Sequence, residues 1–169
     1  MAALNPRSAR RLLAAALCSL WLPVLLAQDR IAQFLAEFNR ESDPVRKAKV
    51  LPKLGDAQFA LMHKALDAGE YSRALQILEQ YRDQAKSVEA ALKASGLDAE
   101  RKPAGFKQLQ IHVRKSVREL DQFVLGLPED QREPFQAIRR ELATVEKELF
   151  DMLFPRQPGK SPPKQKPKG

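Results

Sequence analysis

Cysteine, tryptophan and histidine are nearly absent from this chain. It contains one cysteine, Cys18, one tryptophan, Trp21, and two histidines, His63 and His112. Cys18 and Trp21 fall in an N-terminal apolar run with the layout of an export signal. A mature chain without that run can form no disulfide and no thiolate metal site. Neither histidine has a second histidine, a cysteine or paired carboxylates at metal-ligand spacing. We therefore interpret both as surface or boundary residues and predict no metal ion and no cofactor.

Catalytic motifs are missing as well. The sequence has no G-x-S-x-G nucleophile elbow, no G-x-G-x-x-G dinucleotide loop and no phosphate-binding P-loop. Acidic pairs such as Glu129–Asp130 and Glu146 with Glu148 are expected at helix starts or on solvent faces, where negative charge is ordinary. The sequence therefore predicts no catalytic or cofactor-binding residue, and we expect that the protein is not an enzyme.

The N-terminus has the three parts of a secretory signal peptide. Three arginines between positions 7 and 11 precede an apolar run over 12–27, which the polar Gln28 follows. The run is too short for a comfortable membrane span of roughly 20 residues. Leu25 occupies a place where cleavage prefers a small residue, so an uncleaved N-terminal membrane anchor is the alternative. In both cases we expect the chain from Gln28 onward to lie outside the cytoplasm, in the periplasm or secreted.

The net charge of +8 is confined to the two ends of the chain. The predicted signal (1–27) carries three basic residues and the tail (155–169) carries five, and neither has an acidic residue. The body between them (28–154) balances 21 basic against 21 acidic side chains. A neutral body is typical of solvated helix faces, whereas a nucleic-acid site needs basic residues clustered on one surface. The charge distribution predicts no nucleic-acid partner.

The tail combines five prolines with positive charge and has no aliphatic side chain. It cannot bury enough apolar surface to offset the entropy of ordering, so a disordered, extended arm is predicted. Such an arm is either a solubilising terminus or an electrostatic tether to an anionic surface of the cell envelope. Two basic helix faces are either solvated or bind anions in the same way. The candidate contact residues are Lys160, Lys164, Lys166 and Lys168 in the tail, and Arg46, Lys47, Arg114, Lys115 and Arg118 on the helices.

Three stretches of the body carry apolar residues at alternating steps of three and four. This spacing gives each helix one narrow stripe, suited to packing side by side at a small crossing angle. The sequence predicts an all-α domain over 28–154, an antiparallel bundle of long helices at about 70–94, 105–127 and 134–154. The stripes should share one core. Its predicted members are Leu78, Tyr81, Val88, Val113, Val117, Leu120, Ile138, Leu142, Val145 and Leu149.

Two or three shorter helices are predicted to pack on this bundle from the N-terminal side. The first covers about 29–40. The second begins with Asp43 as cap and Pro44 at the first helical position, and Pro52 should end or kink it. Gly55 then indicates a stop, followed by a helix over about 56–68.

The segment Ala68-Gly69-Glu70-Tyr71-Ser72-Arg73-Ala74-Leu75, followed by Leu78, resembles the centre of a tetratricopeptide repeat. In that family a glycine ends the first helix, an aromatic residue follows two positions later, and a small alanine lets the helices approach closely. The resemblance covers residues 56–81 and occurs once, whereas solenoids need about three copies. It implies a helical hairpin at Gly69 and a role in protein interaction.

The end of the last helix is apolar on more than one side, because Phe150, Leu153 and Phe154 add to its stripe. Either the first helix covers this patch, or the patch is exposed and binds a partner protein or a second copy of the chain. The residues of the first helix that would cover it are Phe34, Leu35 and Phe38.

Together these features predict an exported structural or protein-interaction protein, an adaptor or scaffold of the bacterial cell envelope. The alternative is a chaperone-like periplasmic protein that holds unfolded clients on an open apolar face. Stripes that are fully paired within a bundle favour the first function, and an open cradle of helices favours the second.

Overall fold

The computed structural model describes the backbone of residues 22–155 and the side chains of residues 30–155, and this part of the chain is helical with no β-strand. Its five helices are α1 (Leu22–Arg40), α2 (Pro44–Asp67), α3 (Tyr71–Ala94), α4 (Ala104–Val124) and α5 (Glu129–Leu153). The prediction of an all-α fold is confirmed. Residues 1–21 of the predicted signal and residues 156–169 of the predicted tail lie outside the described residues. The helix α1 begins at Leu22, ahead of the start predicted near residue 29.

Four helices of 21 to 25 residues surround the core. In cross-section α2 contacts α3 and α4, and α5 contacts the same two helices from the opposite side, while α1 packs on α2. Asp56 pairs with Lys115 and, further along both helices, His63 pairs with Glu119, so α2 and α4 run parallel. The same argument makes α3 and α5 parallel, through the pairs Arg82–Glu141 and Lys93–Glu148. The finer prediction of three long helices carrying shorter ones is not confirmed, because α2 is itself a full member of the bundle.

The helix α2 runs without interruption through the two positions that were predicted to break it. Pro52 lies inside the helix and Gly55 is buried in its middle. A proline in a helix interior costs about 3 kcal/mol relative to alanine. Leu51 and Leu54 flank Pro52 and are completely buried against the bundle. Burying two such side chains contributes about 3–6 kcal/mol, which offsets the proline, so tertiary packing overrides the local signal.

Gly55 is required by close packing and not by chain flexibility. A Cβ atom at this position would lie 2.8 Å from the Cε2 atom of Tyr81 and would also collide with the imidazole of His112. The glycine therefore lets α2 approach the aromatic side chains of α3 and α4 more closely than any other residue would.

We expect Gly55→Ala to lower the free energy of unfolding by about 1–3 kcal/mol, the usual cost of overpacking a filled core. The sign is informative because alanine in a helix is otherwise favoured over glycine by about 1 kcal/mol. Urea denaturation measures the difference. Gly126→Ala is the matched control, since its Cβ would make an ordinary contact of 3.4 Å with the Phe123 carbonyl oxygen. A Gly55→Ala protein as stable as the parent would contradict the close approach.

The other predicted helix caps and helix ends are confirmed in part. Asp43 caps α2 as predicted, because its carboxylate accepts a 2.7 Å hydrogen bond from the Arg46 backbone N–H. Gly69 has φ +73°, a left-handed conformation that glycine adopts without strain, and the predicted hairpin at this position is confirmed.

The predicted start of α5 at Pro134 is wrong, since α5 begins at Glu129. Acidic residues in its first turn suit the helix dipole, and Pro134 is exposed, so water can solvate the carbonyl that it leaves unpaired.

The three apolar stripes meet in one core, as predicted. Every predicted member is buried except Val117, which is half-buried at the core's edge. Residues of α2 complete this core, among them Leu51, Leu54 and Met62.

Candidate functional site

Among residues 30–155 most large apolar side chains are buried, and four are exposed. They are Ile111, Leu125, Phe150 and Phe154, with exposed fractions of 53%, 74%, 41% and 62%. Ile111, Phe150 and Phe154 line one depression between α4 and α5, which we call the apolar groove. Leu125 follows the C-terminal end of α4. It lies about 21 Å along the helix axis from Ile111, at 1.5 Å per residue. Three of the four exposed side chains are therefore gathered at one place.

Two antiparallel helices and one loop build the apolar groove. Ile111 projects from α4, while Phe150 and Phe154 lie one turn apart on α5 and its C-terminal cap, with ring centroids 5.0 Å apart. The loop between α3 and α4 closes the end of the groove with Ala99, Glu100 and Pro103, and Lys107 stands at its rim. The arrangement presents a concave apolar surface bordered by charge.

Glu146 positions a cation over the groove. The Arg114 guanidinium lies 6.0 Å from the Phe150 ring centroid, within reach of a cation–π interaction. Its Nε donates a 3.0 Å hydrogen bond to Glu146 Oε1, and the Gln110 amide donates a 2.6 Å hydrogen bond to the same oxygen. Arg114 is thus held at the groove's rim by a specific partner.

The groove is open because α1 lies elsewhere. Of the two alternatives for the end of α5, the structure shows the exposed patch, and cover by α1 through Phe34, Leu35 and Phe38 is not observed. Phe38 is buried at the start of α2, where the Lys47 ammonium lies 4.6 Å from its ring centroid, and Phe34 and Leu35 are half-buried against the core. The patch itself also differs from the prediction, since Leu153 is buried, with an exposed fraction of 7%, and only borders the bottom of the groove.

A row of basic side chains continues from the groove along the outer face of α4. This basic row consists of Arg114, Lys115 and Arg118, and it borders a second depression that shares Ile111 and Arg114 with the groove. Lys115 Nζ lies 2.7 Å from Asp56 Oδ1, and this hydrogen bond raises the pKa of Lys115. Among the side chains of residues 30–155 none forms an ion pair with Arg118, so its charge is available to a ligand.

The remaining predicted contact residues divide between two places. Arg46 is exposed in the first turn of α2, and Lys47 covers the Phe38 ring; neither lines the groove or the second depression. Lys160, Lys164, Lys166 and Lys168 lie outside the described residues. The structure therefore brings together only the predicted residues of α4.

Sequence reasoning missed two residues of the site, Lys107 and Ile111. Ile111 stands off the apolar stripe of α4, and an isoleucine on the polar face of an amphipathic helix is the signal that could have identified it. Lys107 has no such signal, because its place at the rim depends on where α5 ends.

His112 lies in the core and not at the surface, so the boundary assignment is wrong for this residue. Its exposed fraction is 6%, and its ring packs edge-on against Tyr81 with centroids 5.6 Å apart. The Ser116 hydroxyl lies 2.9 Å from the Tyr81 hydroxyl and 3.1 Å from the His112 carbonyl oxygen. His112 Nε2 has no hydrogen-bond partner among the described residues. Burial raises the pKa of Tyr81 and lowers that of His112 to about 4, so both groups are neutral at pH 7.

Side chains able to hold a metal ion do not cluster in threes within residues 22–155. Over the same range, no helix combines the length and the apolarity needed to span a bilayer. Comparisons of the chain with protein-family models, with curated proteins and with solved structures find no match. The site must therefore be interpreted from its geometry, as a concave apolar surface with a cationic border.

Proposed function

We propose that this chain is an exported protein-interaction protein, an adaptor or scaffold of the bacterial cell envelope, and that it binds its partner protein in the apolar groove. Export rests on the signal-like order of arginines, apolar run and polar residues in the first 28 positions. The interaction role rests on the clustering of Ile111, Phe150 and Phe154.

That clustering is the observation that carries the proposal. Isolated exposed apolar residues are ordinary, but a contiguous patch in a depression with a polar rim is typical of an interaction surface. The bundle could have covered these side chains with α1, yet α1 packs on α2. Aromatic residues beside an arginine are the types most enriched in the energetically dominant part of interfaces.

The paired stripes support an adaptor over a chaperone-like protein. A chaperone that holds unfolded clients needs an extended apolar face, whereas here the stripes of α3, α4 and α5 are buried against one another. What remains exposed is one short groove, which suits a defined segment of one partner.

Site-specific photo-crosslinking tests this proposal. A photoreactive phenylalanine analogue replaces Phe154 in one variant and Leu125 in the other, and both are expressed in the native host. We expect a discrete adduct from position 154 and none from position 125, because both residues are exposed but only Phe154 lines the groove. Adding Ile111→Ser should abolish the adduct at 154 while the thermal unfolding temperature stays unchanged, since Ile111 is exposed. Equal crosslinking from both positions, or none from 154, would rule out the groove as the binding site.

A further inference from the structure

We infer that the apolar groove takes an amphipathic helix of the partner protein, and that acidic residues flank the apolar stripe of this helix. This inference rests on the proposed function and specifies the chemistry of the partner. Three features support it: the shape of the groove, the charge along α4 and the position at which the basic tail begins.

The shape of the groove suits a helix. It lies between the antiparallel helices α4 and α5, and side chains of two adjacent helices form ridges between which a third helix can pack. Ile111 on one wall and Phe150 and Phe154 on the other leave a channel floored by Leu153. An amphipathic helix with apolar residues at steps of three and four would insert its stripe into this channel.

The charge along α4 is predominantly positive. Lys107 and Arg118 are exposed and have no ion-pair partner among the described residues, while Arg114 and Lys115 use Glu146 and Asp56. The acidic side chains at the two depressions are Glu100 on the loop and Glu119, which His63 contacts at 2.8 Å. A partner helix lying along α4 would therefore meet unpaired cations on both sides of Ile111. Complementary charge of this kind sets the partner's identity and its association rate.

The position of the tail adds to this positive charge. Phe154 lines the groove, and the chain continues from it directly into residues 155–169, which carry five basic residues and no acidic one. Any ligand in the groove therefore lies next to the point at which this basic sequence begins. A basic segment is a poor occupant, because the groove is already lined by Lys107 and Arg114. An acidic helix is complementary in charge to these residues and to the basic sequence that follows Phe154.

Binding of designed peptides to the full chain tests the inference. The probe is a fluorescent synthetic helix of about 18 residues, long enough to be helical in water. It has leucines in one stripe and glutamates on both flanks. A second peptide has lysine in place of each glutamate, and a third scrambles the acidic peptide so that no stripe forms. Fluorescence anisotropy measures the affinities, and we expect only the acidic helix to bind.

Four variants assign the binding to the groove. Phe154→Ser should weaken binding of the acidic helix about tenfold, as truncation of an interface anchor usually does. Lys107→Glu should weaken it about fivefold or more, and raising the salt concentration should have the same direction of effect. The matched controls are Leu125→Ser and Lys64→Glu, the same changes at exposed positions that line neither depression. They should leave the affinity unchanged.

The outcomes separate the inference from the proposed function. If the lysine peptide binds as tightly as the acidic one and Phe154→Ser weakens the binding of both, the inference that the partner helix is acidic is wrong. The groove then remains the binding site. If no helix binds but vesicles of anionic lipid do so in a Phe154-dependent way, a membrane surface occupies the groove and both proposals fall. If sedimentation shows a dimer that Phe154→Ser dissociates, a second copy of the chain fills the groove and the acidic helix is overturned.

Discussion

Leu142→Ala should lower the free energy of unfolding by about 2–5 kcal/mol, the usual cost of truncating a completely buried leucine. Leu142 lies in the middle of α5 and is completely buried where α5 meets α3 and α4. Removing its side chain forfeits the burial of apolar surface and leaves a cavity that the surrounding helices cannot fill. Leu120→Ala on α4 should behave in the same way. Urea denaturation followed by circular dichroism at 222 nm, with helicity as the signal, measures the loss.

Leu125→Ala is the matched control for these core substitutions. It is the same chemical change at a leucine whose exposed fraction is 74%, so we expect a change within about 0.5 kcal/mol. Comparable losses for the core and control substitutions would show that the stripes do not pack as described.

Acidification should destabilise the protein through His112. The pKa of His112 is lowered from 6.5 to about 4, chiefly because burial disfavours the imidazolium. Asp56 on α2 and Glu119 on α4 favour the charged form and Lys115 opposes it, but burial outweighs them. A folded-state pKa below the unfolded one means that the unfolded state binds the proton first. The stabilisation by neutral His112 is therefore complete above about pH 6.5 and is lost as the pH falls to about 4, by about 3 kcal/mol.

His112→Leu isolates this contribution, because leucine fills a similar volume and does not titrate. The parent should lose about 3 kcal/mol more than His112→Leu between pH 7 and pH 4, measured by urea denaturation across that range. His63→Gln removes the chain's other histidine, whose side chain is 40% exposed. This variant should lose as much stability between pH 7 and pH 4 as the parent does. Parallel pH profiles for the parent and His112→Leu would contradict a buried, neutral imidazole.

The apolar stripes of α3, α4 and α5 could be recognised from sequence because their signal is repeated over six or seven positions each. Every turn of these helices contributes one or two apolar residues on the same face, so single irregularities do not obscure the pattern. Caps such as Asp43 and left-handed glycines such as Gly69 were equally recognisable, because each satisfies a local backbone requirement within a few residues.

The helix α2 was predicted wrongly because its breaking signals are local and the forces that overcome them are not. Pro52 and Gly55 disfavour a helix within one or two turns. The opposing contribution comes from Leu51 and Leu54, which are buried in the core that α2 forms with α3 and α4, helices that lie 17 to 73 positions further along the sequence. Gly55 was misinterpreted for the same reason. It does not end a helix but allows Tyr81 and His112 to pack closely against α2.

The apolar groove depends on tertiary placement to a still greater extent. Phe150, Leu153 and Phe154 form an apolar group in the sequence, but which of them is buried and which are exposed depends on how α5 packs against the other helices. The sequence leaves open whether α1 covers them, and in the structure α1 packs on α2 and leaves Phe150 and Phe154 exposed. Ile111 and Lys107 line the groove because α4 packs beside the C-terminal end of α5.

The all-α class, the stripes that form the core, the hairpin at Gly69 and the division of charge between a neutral body and basic ends can all be predicted from the sequence. These properties depend on residue spacing and composition, which act between neighbours a few positions apart. The continuity of α2, the burial of His112 and the grouping of Ile111, Phe150 and Phe154 in one groove become evident only in the folded chain. Each of these depends on which helix faces meet, and packing free energy between residues distant in sequence exceeds the local preferences that the residues would otherwise follow.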